Sequence, residues 1–344
     1  MKNLYNYLEK NKDITLKEKP WNIMDNLFCA CISYIPLTEN FKMKSFEEVC
    51  EEVINYDYPS KPEYVSYTDK KMFTILKGSK RYHDMFLFNF VNIIDNNTQF
   101  GAITCKIGNK KVISFKGSDG SMIGWIENLR LLYDFPTYTQ MLAAEYLKDN
   151  IHPFDYDVYV VGHSKGGNLA IASAMELNFY KSFRIKKIIN FDGPGLKYND
   201  FVSNKYQKIA KKVESYLPNK SYVGTLMYND NIKIIDTSAL MVGVHYPTNW
   251  LIENDNFVYS TQSKLSKELH IRTTEMLKDI DMQAIKNILE EVFKIFEERK
   301  KDHVGITLND IHKIIQSINN APKKEKDYLL SVIRYMFKLS NNIE

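Results

Sequence analysis

Residues Val161-Gly162-His163-Ser164-Lys165-Gly166-Gly167 join a strand-like run to a helix-like run. Asp157-Val158-Tyr159-Val160-Val161 is short, apolar and β-branched, as a buried strand should be. Asn168-Leu169-Ala170-Ile171-Ala172-Ser173-Ala174-Met175 is rich in alanine and suits a helix packed closely on a sheet. A serine at such a junction sits on a strained turn, and glycines on both sides let neighbouring backbone approach without clashing β-carbons. The Ser164 hydroxyl then projects above the sheet. The amide of Lys165 lies at a helix N-terminus, where negative charge is stabilised.

Strand, Gly-x-Ser-x-Gly and helix in that order form the nucleophile elbow of α/β hydrolases. A glycine-rich turn that merely connects two elements is the plainer alternative, and the flanking strand and helix argue against it. A phosphate-binding loop is excluded, because no Gly-Lys-Ser/Thr order occurs here.

The rest of the chain supplies elements for such a sheet. Pro20 to Ile32 reads as a helix ending near Pro36, Phe46 to Tyr56 as a second, and Asp69 to Gly78 as a third; these cap the sheet or form a lid. Phe86 to Asp95 and Thr98 to Ile107 read as strands joined by a turn at Asn96-Asn97, and Lys111 to Phe115 follows. Strands and helices then alternate: helices Gly124 to Leu132, Thr139 to Lys148 and Asn168 to Asn178, with strands Asp157 to Val161, Lys187 to Phe191, Ser221 to Tyr228 and Ile232 to Ile235. That alternation predicts a mainly parallel sheet covered by helices. From Ser263 onward only helical periodicity remains, including segments 306–318 and 328–339. The expected division is an N-terminal helical cap region over 1–85, an α/β core over 86–262 and a C-terminal helical extension over 263–344.

Composition narrows the function classes. With 46 basic and 42 acidic residues the net charge is +4, too mild to argue for nucleic acid. The N-terminus has no apolar signal core, and no run is long enough for a transmembrane segment. Cys29, Cys31, Cys50 and Cys105 show neither disulfide nor zinc spacing, so a reducing cytoplasm is expected and no metal or organic cofactor is needed.

A serine nucleophile needs a histidine base, an acid to orient it, and two oxyanion donors. In α/β hydrolases the chain order is nucleophile, acid, base. Of the histidines beyond Ser164, His270, His303 and His312 fall in the charged helical tail and are expected to be solvated. His245 follows the last predicted strand in an irregular loop and is the candidate base. Asp192 ends the strand Ile188-Ile189-Asn190-Phe191 and opens Asp192-Gly193-Pro194-Gly195 at the carboxyl edge of the sheet, where functional groups gather. It is the favoured acid, though a turn-forming role also suits it; Asp230 and Asp236 are the alternatives. Lys116-Gly117-Ser118-Asp119 follows the strand before the elbow, so Ser118 is the second candidate oxyanion donor beside Lys165. Asp119 also suits a helix cap.

These motifs resemble known families. Phe115-Lys116-Gly117-Ser118-Asp119 with Trp125 is similar to the Phe-Arg-Gly-Thr/Ser loop of class 3 lipases, and Gly162 to Gly167 to their Gly-His-Ser-Leu-Gly-Gly elbow. Asn190-Phe191-Asp192-Gly193-Pro194-Gly195 and Val223-Gly224-Thr225-Leu226 resemble a group of bacterial lipase-like proteins known as domains of unknown function, whose elbow also carries lysine after the serine. The resemblance runs roughly from Trp21 to Trp250. Lys116 stands where the lipase loop has arginine, and Tyr246 where the bacterial group has aspartate. The resemblance implies an α/β-hydrolase fold and hydrolysis of a small-molecule or lipid ester. A thioesterase or acyl-transfer enzyme with the same residues, and a catalytically silent binding protein of the same fold, stay open as alternatives. Tyr198 to Leu217 holds many aromatic and aliphatic residues; core packing against the sheet is the favoured use of any one of them, and part of a roof over the site is the alternative.

Overall fold

The structure, a computed structural model, describes residues 2–37, 40–57, 70–95, 98–118, 122–278, 280–301 and 308–330. Eight strands form the central sheet: β1 (Phe41–Ser45), β2 (Phe86–Ile94), β3 (Gln99–Ile107), β4 (Lys110–Phe115), β5 (Asp157–His163), β6 (Ile185–Phe191), β7 (Val213–Pro218) and β8 (Ile232–Ile235). They lie side by side in chain order. Pairings from β1 to β4 are antiparallel and those from β4 to β8 parallel.

That order dictates the layers. A parallel sheet that grows in one direction through crossovers of one hand places its crossover helices on one face. Helices Tyr138–Asn150 and Lys165–Met175 do pack together, and their Ala143, Leu147, Leu169 and Ala170 share a core with Val158, Val160, Ile113 and Ile188. The opposite face would stay wet without another layer. The N-terminal helices supply it: Met24, Phe28 and Cys31 share a second core with Val112, Tyr159, Val161 and Ile189. Neighbouring residues of β5 thus serve opposite cores, as the two-residue period of a strand requires. The result is the α/β-hydrolase fold, a mainly parallel sheet covered by helices, with N-terminal helices and a C-terminal helical extension.

The N-terminal layer has its own staple. Arg81 reaches both oxygens of Asp25 at 2.7 Å, and the hydroxyl of Tyr82 donates to the same carboxylate at 2.7 Å. Asp25 also closes the capping box of helix Ile23–Ile32. Removing one partner of so buried a pair costs about 3–5 kcal/mol.

The C-terminal helices form a third packed region. Ile285, Leu289 and Phe293 share a core with Ile123, Ile126, Leu129 and Met227, so helix Met282–Lys301 packs against helix Met122–Arg130. Helix Lys264–Lys278 lies on the segment expected as strand Ser221 to Tyr228: Ser266 Oγ donates to Ser221 O at 2.7 Å, and His270 Nδ1 is 2.8 Å from Thr225 O. His270 is therefore half-buried and bonded, not solvated.

Several sequence expectations change. The segment Ser221 to Tyr228 is a loop of turns, with Tyr228 bridged to Leu196, and the strand lies earlier, at Val213–Pro218. Tyr206, Ile209 and Val213 are consequently core residues under the sheet, and Tyr216 stacks on Phe191 across the other face at 5.7 Å, so these four form no roof. A short strand, β1, appears inside the segment expected to be helical. The Asn96-Asn97 turn, Asp69, Asp119, His303 and residues 306–307 and 331–339 lie outside the described residues, although Asp95 N and Thr98 O bracket that turn at 3.0 Å.

Candidate active site

Ser164 sits at φ 58°, ψ −134°, a left-handed conformation that a non-glycine residue adopts only under constraint. The constraint is packing from both sides. A β-carbon on Gly162 would lie 2.1 Å from the Gly166 carbonyl, and one on Gly166 would lie 2.1 Å from the Phe115 carbonyl oxygen. The two glycines therefore serve close approach between strand and helix; the unusual φ belongs to the serine. Ser164 N donates to Phe191 O at 3.0 Å, which ties the turn to the end of β6.

Asp192 is the next residue after β6. It too has a positive φ, 51°, and its amide donates to Tyr216 O at 2.9 Å. Its carboxylate is 1% exposed. Oδ1 accepts from the hydroxyl of Ser221 and from Gly224 N–H, while Oδ2 lies 2.7 Å from His245 Nδ1. The loop misread as a strand thus holds the back of this carboxylate and leaves one oxygen for the imidazole. With Nδ1–H donated to Asp192, Nε2 is the nitrogen able to take a proton.

The alternative acids are engaged elsewhere. Asp230 Oδ1 accepts from the amide of Asn231 at 2.8 Å, and Asp236 Oδ1 accepts from Asn219 Nδ2 and Thr237 N at 2.9 Å. The structure pairs His245 with Asp192.

His245 ends the short 3-10 turn Met241–His245. Trp250, fully buried, pins that turn from below by donating Nε1–H to Val244 O at 2.8 Å. His163, the residue before Ser164, pins it from the side: its Nε2 lies 2.9 Å from His245 O, and the two rings are 4.5 Å apart. A carbonyl partner requires the proton on Nε2, so Nδ1 accepts. Its partner there is the hydroxyl of Tyr34 at 3.2 Å. Burial, reinforced by neighbouring His245, pushes His163 well below the usual histidine range, so its ring is neutral.

Tyr34 reaches the loop after β4 as well. Its hydroxyl accepts from Gly117 N at 3.0 Å and lies 3.1 Å from His163 O. A β-carbon on Gly117 would stand 2.2 Å from that hydroxyl and 2.9 Å from Ser164 Cβ, so only glycine lets the loop pass this close to Ser164. Ser118 follows at this edge. Its hydroxyl donates to Asn128 Oδ1 at 2.9 Å, so it is turned towards helix Met122–Arg130 and only its amide is left as the candidate oxyanion donor.

The Lys165 side chain is a surprise in so apolar a turn. It is 0% exposed and its ammonium contacts Glu127 Oε2, Gln99 O at 2.6 Å and Gln99 Oε1 at 2.7 Å. Gln99 Nε2 donates in turn to Gly117 O at 3.1 Å. Burial raises the Glu127 carboxyl above the usual range, with Lys165 pulling the other way. Sequence reasoning used only the Lys165 amide and missed Tyr34, Gln99 and Glu127, which lie far apart in the chain. A lysine inside an otherwise apolar elbow was the one signal that a buried carboxylate had to face it. Among the described residues, no group of three or more His, Cys, Asp or Glu is placed to hold a metal ion, and no helix is long and apolar enough to cross a membrane.

Comparison with known proteins follows this geometry. Across 92% of this chain and 100% of its own, M37 lipase is similar at a TM-score of 0.38 and 13% identity. No curated protein matches the chain. The model of the Mbeg1-like family matches residues 76–294, a span that begins before β2 and runs through the elbow, Asp192 and His245 into helix Met282–Lys301; the chain belongs to the Mbeg1-like family.

Proposed function

We propose that the protein is a serine hydrolase that cleaves carboxylic esters through Ser164, His245 and Asp192. The observation that carries this reading is the 2.7 Å bond from His245 Nδ1 to the buried Asp192 carboxylate, beside a serine in a strained elbow. In this reaction Ser164 Oγ attacks the ester carbonyl while His245 Nε2 takes its proton. The amides of Lys165 and Ser118 stabilise the oxyanion, the first assisted by the N-terminus of helix Lys165–Met175. Collapse expels the alcohol, which takes the proton from His245. Water, deprotonated by His245, then releases the acid from Ser164. Asp192 stays ionised throughout and fixes the imidazole tautomer. The lipase-like motifs at residues 115–119 and 162–167 favour an ester over an amide.

Covalent labelling tests this directly. A fluorophosphonate probe should modify the folded protein at Ser164, and Ser164→Ala should abolish both labelling and p-nitrophenyl ester hydrolysis. Labelling that persists in Ser164→Ala places the nucleophile elsewhere; a wild-type protein that neither labels nor turns over is a silent member of the fold.

A further inference from the structure

The opposite end of the sheet carries a surface that ester hydrolysis does not use. Phe179, Tyr180 and Phe183, on the short helix Phe179–Arg184, are 76%, 77% and 74% exposed, and Phe154 and Tyr156 on the loop before β5 are 84% and 75% exposed. The rings form one patch. Phe179 lies 6.0 Å from Tyr180 and 6.2 Å from Phe183. Arg184 bridges to the loop, with its guanidinium 5.8 Å from the Tyr156 ring and Nη1 donating to Asp155 O at 3.3 Å. Lys181 Nζ donates to Ile151 O at 3.0 Å, which fixes the helix against the same loop. With roughly 150–250 Å² per aromatic side chain, five rings so exposed present about 600–900 Å². That exceeds the few hundred Å² of the largest apolar patch on a typical monomer.

The surrounding charge is positive. Lysines stand at or just before the starts of the parallel strands here: Lys110, Lys186, Lys187, Lys211 and Lys212. Asp155 is paired with Lys111, Asp157 with Lys110 and Lys186, and Glu214 with Lys187 and Lys233, so in these ion pairs the lysines outnumber the carboxylates. Lys181, Arg184 and Lys212 instead donate to backbone carbonyls, including Ser182 O at 2.6 Å for Lys212, so no carboxylate takes part in these contacts.

We propose that this amino-terminal edge of the parallel sheet docks on an anionic lipid bilayer, with the five aromatic side chains entering the headgroup region and the surrounding cations facing lipid phosphates. Aromatic rings prefer the membrane interface, and basic side chains beside them add attraction to anionic lipid. A second copy of the chain fits less well, because a two-fold contact would set the same cations against each other. Six residue steps along β5 separate Asp157 at the docking edge from His163 beside the nucleophile, about 20 Å at a strand's rise. The docked protein therefore holds Ser164 away from the membrane surface, and docking and ester hydrolysis are separable.

The test is sedimentation of the full chain with vesicles of phosphatidylcholine alone and of phosphatidylcholine mixed with phosphatidylglycerol. At low salt the protein should partition into the anionic vesicles roughly tenfold or more above the neutral ones, and added salt should weaken binding. Phe179→Ser with Phe183→Ser should reduce partitioning by roughly tenfold or more, since both rings are lost from the inserted face. Lys186→Gln with Lys211→Gln should weaken it severalfold and flatten the salt dependence. All four positions are solvent-exposed, so an unchanged melting temperature shows that each variant is folded. Absence of wild-type binding to anionic vesicles overturns the proposal, as does binding that survives the double phenylalanine variant. Self-association in sedimentation velocity that the same variant abolishes would make the face a contact between copies instead, and would also overturn it.

Discussion

His163 Nε2 donates its hydrogen to the carbonyl oxygen of His245 at 2.9 Å, so the residue preceding the proposed nucleophile holds the backbone of the residue proposed as its base. The elbow and the histidine loop are 82 residues apart in sequence, yet this bond fixes their spacing without using the imidazole of His245. Burial, by contrast, requires His163 to remain neutral, with Nδ1 facing the Tyr34 hydroxyl.

That requirement gives stability a pH signature. The folded-state pKa of His163 is depressed by burial, whereas in the unfolded chain it returns to about 6.5. Below that value the unfolded state binds a proton that the native state refuses. The stabilisation is therefore complete above the unfolded pKa and is lost as pH falls, at up to about 1.4 kcal/mol per pH unit. Urea unfolding at a series of pH values from neutral to mildly acidic should show a steeper loss in the wild type than in His163→Gln. Parallel slopes would mean that His163 is not buried neutral.

Asp192 should be the acid whose loss matters. Asp192→Asn keeps the shape of the side chain but offers His245 the wrong partner, and kcat should fall roughly 10³–10⁴-fold. Asp230→Asn disturbs a bond from the Asn231 amide and Asp236→Asn those from Thr237 N and Asn219 Nδ2, none of which involves His245, and each should stay within a few-fold of wild type. Steady-state kinetics on one soluble ester compares all three, and a crippled Asp230 variant would move the acid to the later loop.

Tyr34 is a positioning residue in this arrangement. Tyr34→Phe leaves the Gly117 amide and His163 Nδ1 without their shared partner, at about 1–3 kcal/mol of stability. The Ser118 amide follows Gly117 directly, so a shifted loop should lower kcat by roughly tenfold with little change in KM. A variant that loses stability while keeping kcat would confine Tyr34 to a structural role.

Much of this arrangement was legible in the sequence because it is local. The elbow, the turn after β6 and the histidine loop each announce themselves within a few residues, and their chain order gave the pairing of Asp192 with His245 its favoured place. The errors came where partners are distant. β7 reads poorly as a strand because Glu214 lies within it, yet Lys187 on β6 and Lys233 on β8 neutralise that carboxylate and hold it below its usual range, to about 2. Val223-Gly224-Thr225-Leu226 reads better as a strand but wraps the Asp192 carboxylate, where Gly224 N–H is needed. β1 escaped notice because Phe41-Lys42-Met43-Lys44-Ser45 is short and half charged, which is also what keeps an edge strand from pairing with other chains.

Lys165 and Glu127 offer the sharpest test of how distant partners build the site. Their contact is buried on both sides, so neither charge is tolerable alone. Lys165→Met keeps the apolar stem and deletes the ammonium, leaving Glu127 unpaired, and should destabilise the fold by about 3–5 kcal/mol. The freed carboxylate then escapes by taking a proton. Its folded pKa rises above the unfolded value, so the native state holds the extra proton and the penalty shrinks as pH falls towards the unfolded glutamate range. Glu127→Gln in the Lys165→Met background removes the second charge, keeps an acceptor for Gln99 N, and lets an amide donate to Gln99 Oε1. The double variant should recover most of the loss, giving a coupling energy of about 2–3 kcal/mol in a double-mutant cycle. Because Gln99 also holds Gly117 O, kcat should recover in step with stability. Additive losses would show that the two side chains do not depend on each other.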